Sequence, residues 1–252
     1  MNANTSVNPV QPPATAERSA NALKVGGVTP FTATDFPGKL AMAVFVHGCP
    51  WRCGYCHNPE LQRRPEQSAI AWQEVLELLE RRKGLLDGVV FSGGEPTIDP
   101  ALEAAIAEVK GLGYAVGLHT ACIYPQRLAQ ILPMLDWVGF DIKANERLYP
   151  GITGVPGSGS AAWDCARRII ASGVDYECRT TVHPQLLLPE QIYELAFDLA
   201  SMGVRNFVLQ EFRQEGCGDA ALNASALPGY PGTDLLRRIA PLFERFQWRG
   251  AA

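Results

Sequence analysis

The sequence predicts an α/β fold, an open partial (βα)6 barrel with parallel strands, and three observations lead there. Short apolar runs alternate with amphipathic stretches from Lys39 onward, the pattern of parallel strands joined by crossover helices. Six such units fit into residues 40–246, whereas a closed eight-fold barrel takes about 250 residues for its repeats. Polar and charged residues recur just after the apolar runs, where parallel β/α folds gather their functional groups. A doubly wound sheet shows the same alternation, because periodicity does not fix strand order, and it stands as the second architecture.

The elements follow in order. Residues 40–46 (LAMAVFV) are a continuous apolar run, which reads as a buried strand. Residues 72–82 place Trp72, Val75, Leu76 and Leu79 at helical spacing. Residues 89–92 form the second strand, after which Asp99-Pro100 opens a helix with Asp as N-cap and Pro at the first position. A third strand at 114–119 leads to a helix over 125–135. A fourth, at 137–142, leads to a helix over 161–171 that Ser172-Gly173 ends. A fifth strand at 176–182 precedes a helix over 189–202, and a sixth at 206–212 precedes a last helix over 233–246.

Composition narrows the function. The 22 basic and 26 acidic residues leave a net charge of −4 across 252 residues, so no excess of positive charge is on hand to neutralise phosphates, and nucleic acid is not an expected partner. Residues 1–23 are polar and rich in Pro, Ala and Asn, which predicts a flexible tail ahead of one domain over 24–252. No apolar export segment is visible there, and the run at 40–46 is far too short to cross a bilayer. The expectation is a cytoplasmic protein without membrane contact. The seven cysteines are odd in number and three fall within eight residues, which argues for metal binding over a disulfide framework.

Those three are Cys49, Cys53 and Cys56, spaced C-x3-C-x2-C in the loop that follows the first predicted strand. A short loop with three thiolates can wrap one face of an iron–sulfur cube. Such cubes normally take four protein ligands, so three leave one iron open, the logic that separates catalytic from structural zinc sites. Two other readings stand beside it, a Cys3His zinc site that uses His57 and a set of inert buried thiols. Cys165 and Cys178 fall inside predicted elements as core residues, while Cys122 and Cys217 lie in loops, and the reading goes against a fourth-ligand role for either.

Cys49-Pro-Trp-Arg-Cys53-Gly-Tyr-Cys56, with Tyr55 at the aromatic position, resembles the C-x3-C-x-Φ-C signature of radical S-adenosylmethionine (SAM) enzymes. The continuation His57-Asn58-Pro59-Glu60 is similar to the activases of glycyl-radical enzymes, most of all those serving anaerobic ribonucleoside-triphosphate reductase. The likeness runs from about residue 25 to 213. It implies a partial barrel of radical SAM type, a [4Fe–4S] cluster on the three cysteines, and SAM on the open iron. It also implies an electron donor such as flavodoxin, and a partner protein, the anaerobic ribonucleotide reductase, whose glycine loop gives up a hydrogen atom. Activases of the pyruvate formate-lyase type and small-molecule enzymes of the superfamily are the alternatives within the family. An iron–sulfur electron carrier or a zinc-binding module is the alternative outside it.

Candidate ligand groups occur at the end of strand after strand. Gly93-Gly94-Glu95 offers close backbone approach and an acceptor for an ammonium group, the role the resemblance implies toward SAM. Thr120 follows the third strand. Asp141 and Lys143, two apart, face the same side of the fourth, and the resemblance puts such a pair beside the cofactor. Arg179 and Arg213 are candidates for a carboxylate or ribose. His119-Thr120-Ala121-Cys122 departs from the Asp-Thr-Asn-Gly of related activases, which puts their monovalent cation site in question here. Asp35-Phe36-Pro37-Gly38 reads as a turn, and the resemblance places it near the docking point of the glycine loop. The reacting radical is borne by the cofactors, so no side chain is expected to act as acid or base.

Overall fold

The computed structural model describes residues 19–251. One eight-stranded sheet runs in chain order, β1 (Val25–Thr32), β2 (Ala41–Val46), β3 (Gly88–Gly93), β4 (Ala115–Thr120), β5 (Trp137–Asp141), β6 (Asp175–Val182), β7 (Asn206–Glu211) and β8 (Arg245–Arg249). From β2 onward every neighbouring pair is parallel. A doubly wound sheet reverses its strand order at a switch point, and this one never does. β1 and β8 are the two edges and do not pair, so the barrel is open.

The helices are α1 (Trp72–Glu80), α2 (Leu102–Gly111), α3 (Pro125–Ile131), α4 (Tyr149–Thr153), α5 (Ser158–Ser172), α6 (Pro189–Met202), α7 (Ala220–Ala224) and α8 (Thr233–Ile239). α1 buries Trp72, Val75 and Leu79, the stripe its sequence spacing predicts, and each aliphatic there contributes about 1.5–3 kcal/mol. Trp72 stacks on Phe91 of β3 with ring centroids 6.1 Å apart and donates its indole N–H to Glu108 at 2.7 Å.

The departures from expectation have local causes. β1 (VGGVTPFT) carries two glycines and a proline, which hide a strand from any propensity reading, and it pairs antiparallel with β2 at an edge where Pro is tolerated. The helix expected over 125–135 gives way at Leu132–Met134 to a 3-10 turn around Pro133. The last helix, expected to run to 246, stops at Ile239 because Pro241 breaks it, and the chain re-enters the sheet as β8. Ala20 and Leu23, which the sequence places in a flexible tail over 1–23, are buried in the core; residues 1–18 lie outside the described residues. Among the described residues, no helix is long and apolar enough to cross a membrane.

Phe36, from the turn between β1 and β2, fills the barrel at the amino ends of the strands. It stacks on Trp137 at 5.7 Å, and added Cβ atoms on Gly88 and Gly117 would lie 3.1–3.2 Å from its ring. The Asp35–Gly38 turn is therefore also a plug, and the space left open is at the carboxyl ends.

Candidate functional site

A cavity of about 610 Å³ lies at those carboxyl ends. Cys49, Cys53, Tyr55 and Cys56 line it from the loop after β2, Gly93 and Gly94 from β3, and Thr120 from β4. Asp141, Lys143, Arg179 and Arg213 line it from the later strands. Of the twelve residues the resemblance assigns to the cluster and S-adenosylmethionine, Glu95 alone does not line it.

The cysteine loop is held by its backbone. Gly48 N–H donates to the Leu61 carbonyl at 2.7 Å, Cys49 N–H to that of Gln62 at 2.9 Å, and Arg52 N–H to that of Thr153 at 2.8 Å. Trp51 is buried edge-on against Tyr149. The two glycines make the loop possible: a Cβ on Gly93, whose φ is +117°, would fall 2.5 Å from the Val46 backbone. One on Gly94 would fall 2.6 Å from the Gly48 carbonyl oxygen. Their close approach is thus made to the end of β2 and the start of the cysteine loop, where the sequence reading gave it to a ligand.

Glu95 also differs from expectation. Its carboxylate is fully buried and accepts from the Thr97 N–H and hydroxyl, the Thr120 hydroxyl and the Ala121 N–H, at 2.5–3.1 Å. Burial raises its pKa above the usual carboxylate value although these donors pull the other way. The group expected to receive an ammonium instead ties the end of β3 to the segment after β4, and so presents Thr120 and Ala121 to the cavity.

The donor set fits an iron–sulfur cluster. Burial pushes the Cys49 thiol up to about 12 and raises Cys53 as well, against the pull of Lys143. Thiolates at such positions need a strongly positive ligand-bound centre to form. The Tyr55 hydroxyl is buried with no hydrogen-bond partner, and the Lys143 ammonium sits 5.2 Å above its ring. The described residues bring no three His, Cys, Asp or Glu side chains together around a single ion. His57, the fourth ligand of the zinc alternative, has its Nε2 on the Arg213 carbonyl at 3.0 Å. Three thiolates in place of the four such a cube normally takes leave one iron for another ligand.

The far side of the cavity is built from charge. Register pairs Asp141 with Arg179, and Asp141 bonds Arg179 Nε at 3.1 Å and Lys143 Nζ at 3.5 Å. Burial pushes the Asp141 pKa up, but Arg179 and Lys143 outweigh it and the net direction is down. Lys143 is the mirror case: burial disfavours its charge, while Tyr55, Asp141 and Cys53 raise its pKa well above the ordinary lysine value. With 8% of its side chain exposed, Lys143 is no surface ion-pair partner. His119 bonds the Asp35 carbonyl through Nε2 at 2.8 Å and sits edge-on to Trp137. Burial first, then Arg179, lowers it to about 4, so it is neutral at neutral pH.

Sequence reasoning missed Arg249. It reaches from β8 into the cavity wall and grips Glu177 of β6 bidentately, at 2.9 and 2.6 Å. The alternating pattern RFQWR is the signal that marks β8, and a helix drawn through to 246 hides it. Cys165 and Cys178 are core residues as expected. Cys122 is buried at φ +64°, and the Cys217 thiol donates to the Gly54 carbonyl at 3.5 Å; neither lines the cavity.

Comparisons with known proteins agree with this geometry. A relative in Methanocaldococcus jannaschii, named a putative glycyl-radical enzyme activating enzyme, is 24% identical over 211 residues, 81% of this chain and 86% of that one. The pyruvate formate-lyase-activating enzyme of Clostridium pasteurianum is 35% identical over 126 residues, 48% of this chain and about half (52%) of that one. Among solved structures, QueE from Escherichia coli has a TM-score of 0.54 at 16% identity, covering 90% of this chain and 94% of that one. Streptococcus suis SuiB bound to S-adenosylmethionine has a TM-score of 0.56 at 17% identity, covering 81% and 48%; at such identities the likeness is one of fold. The family model described as Radical SAM superfamily matches residues 43–186, which contain the cysteine loop and the strands β3 to β6 whose ends wall the cavity. The chain belongs to the radical SAM superfamily, and it is an oxidoreductase of that fold.

Proposed function

We propose that this chain is a glycyl-radical enzyme activase, which binds a [4Fe–4S] cluster through Cys49, Cys53 and Cys56 and S-adenosylmethionine in the same cavity. The observation that carries the reading is that the three cysteines and a charged rim suited to a zwitterion face one space. Bound together, the cluster and S-adenosylmethionine supply one-electron cleavage of the sulfonium and the radical that takes hydrogen from a glycine. The chain's own residues orient and shield. Arg179 and Lys143 offer cations to a carboxylate, while Asp141, Thr120 and the cavity-lining Gly93-Gly94 backbone offer acceptors to an ammonium, since Glu95 is occupied internally. Near-attack placement is the protein's main contribution to rate.

The partner is a glycyl-radical protein. The residues flanking the cysteines favour anaerobic ribonucleoside-triphosphate reductase, whereas the relatives that name a glycyl-radical partner point to pyruvate formate-lyase, and the latter has the better support. Flavodoxin remains the reductant in this reading. The test is anaerobic reconstitution with iron and sulfide, reduction, and electron paramagnetic resonance with and without S-adenosylmethionine. A reduced cluster signal that changes on addition, with release of 5′-deoxyadenosine, is expected. Incubation with each candidate partner then distinguishes them by which one acquires a glycyl-radical signal. Tightly bound zinc with no cluster would sink the proposal.

A further inference from the structure

The cysteine loop is held from several sides, and one of them comes from a segment beyond the residues the family model matches. Cys49 is fixed toward β2 and residues 61–62 by backbone bonds. The half of the loop around Cys53 and Cys56 instead meets residues 213–222, which lie beyond the matched region. The Cys217 thiol donates to the Gly54 carbonyl, between those two cysteines in sequence, at 3.5 Å. His57, next to Cys56, bonds the Arg213 carbonyl at 3.0 Å. Packing at both glycines is tight. A Cβ on Gly54 would lie 3.2 Å from Leu222, and one on Gly216, at φ +82°, would lie 2.9 Å from the His57 carbonyl oxygen.

That segment is itself tied down. Asn223 donates to the Cys217 carbonyl at 2.9 Å, and Gln214 donates to the Asn223 carbonyl at 2.6 Å. His183, buried at the end of β6, donates to the Leu222 carbonyl at 3.0 Å and packs edge-on against Phe212 at 4.9 Å. The anchoring therefore runs from the barrel wall through residues 213–223 to Gly54 and His57.

We propose that residues 213–222 form a clamp that pre-sets the Cys53–Cys56 half of the loop for cluster binding, with Cys217 as its positioning residue. Cys217 acts through the Gly54 carbonyl and binds no iron. A loop already shaped for its ligand loses less conformational entropy on binding, and a clamp of this kind slows iron loss more than it changes the fold. The inference rests on the cysteines being cluster ligands, but its first test needs neither cluster nor activity.

The full-length chain without cluster, its thiols reduced, is alkylated under native conditions, and the rate at each cysteine is read by peptide mass spectrometry. Cys217→Ala is expected to speed labelling of Cys53 and Cys56 about three- to tenfold, the worth of one hydrogen bond, and to leave Cys49 unchanged. Cys217→Ser, which keeps a donor, restores the slow rates. Leu222→Ala, which removes the packing on Gly54 without touching a cysteine, gives the same asymmetric pattern and serves if Cys217→Ala does not fold. In the reconstituted protein, iron release to a ferrous chelator speeds by a similar factor in both alanine variants. Equal acceleration at all three cysteines, or none at any, overturns the clamp. Loss of radical chemistry with the asymmetric pattern intact counts against the proposed function and leaves the clamp standing.

Discussion

The two halves of the barrel rim position their groups by opposite means. From β2 to β4 the site is set by backbone: glycines with no room for a Cβ, carbonyls bonded to amides, and a buried carboxylate spent wholly on neighbouring donors. From β5 to β8 it is set by charge, with Asp141 held between Lys143 and Arg179 and with Glu177 gripped by Arg249. Steric fit tolerates almost nothing, because close-packed atoms lack space to shift. Ion pairs in a half-open cavity are softer, being partly solvated and replaceable by polar contacts. The cysteine loop is thus held by steric fit, and the rim opposite it by charge.

Substitutions test this contrast, and the largest effect belongs to the steric half. Gly93→Ala puts a methyl 2.5 Å from the Val46 backbone at a φ of +117°, and should cost about 3 kcal/mol or more. Chemical unfolding reads that loss, together with failure to reconstitute a cluster. A variant as stable as the parent would show that the loop is not fixed by this contact.

Glu95→Gln comes next. One amide oxygen cannot accept all the donors that the carboxylate accepts, so about 1–3 kcal/mol is lost for the group left unpaired. The effect should appear as faster hydrogen exchange at Ala121 and Thr97, whose amides it now holds.

In the charged half, Arg249→Met leaves Glu177, 7% exposed at its side chain, without its partner, while the arginine itself is 36% exposed. Solvent screening discounts the usual cost of a broken buried pair, so about 1–2 kcal/mol is expected. The loss should be confined to β8, visible as exchange at its edge amides with β2 to β4 unchanged. Global destabilisation would erase the distinction between the halves.

A pH slope comes last because it is absent at neutral pH and develops only on acidification. His119 has its pKa lowered to about 4 from 6.5, so below pH 6.5 the unfolded chain takes up a proton that the native chain refuses. Stability falls as pH drops from about 6.5 to about 4 and levels beyond it. Asp141 adds a separate loss only further down, as pH falls through its depressed pKa. His119→Gln should flatten the upper window alone, as followed by unfolding midpoints across pH.

Much of this was readable in advance, and the failures have identifiable causes. The six interior parallel strands announce themselves because strands covered on both faces must be apolar throughout. The edge strands do not: β1 is broken up by Gly and Pro, and β8 is half polar. Site residues were found by position at strand ends, and that logic placed eleven of the twelve around the cavity. It failed on Glu95 because sequence reports that a carboxylate is present and cannot report which way it turns. Arg249 was missed, and Cys217 was weighed only as an iron ligand, because each acts across a large separation, on Glu177 and on Gly54.

The sequence by itself determined the strand–helix alternation, the three-cysteine loop and its family, and the set of polar groups brought to one rim. These are local patterns and short spacings, carried by neighbouring residues. Tertiary structure alone decided the monotonic strand order, the open edges, the inward turn of Glu95, the neutral state of His119 and the hold of residues 213–222 on the cysteine loop. Each depends on which distant backbones come within bonding distance, and that is fixed only when the whole core packs.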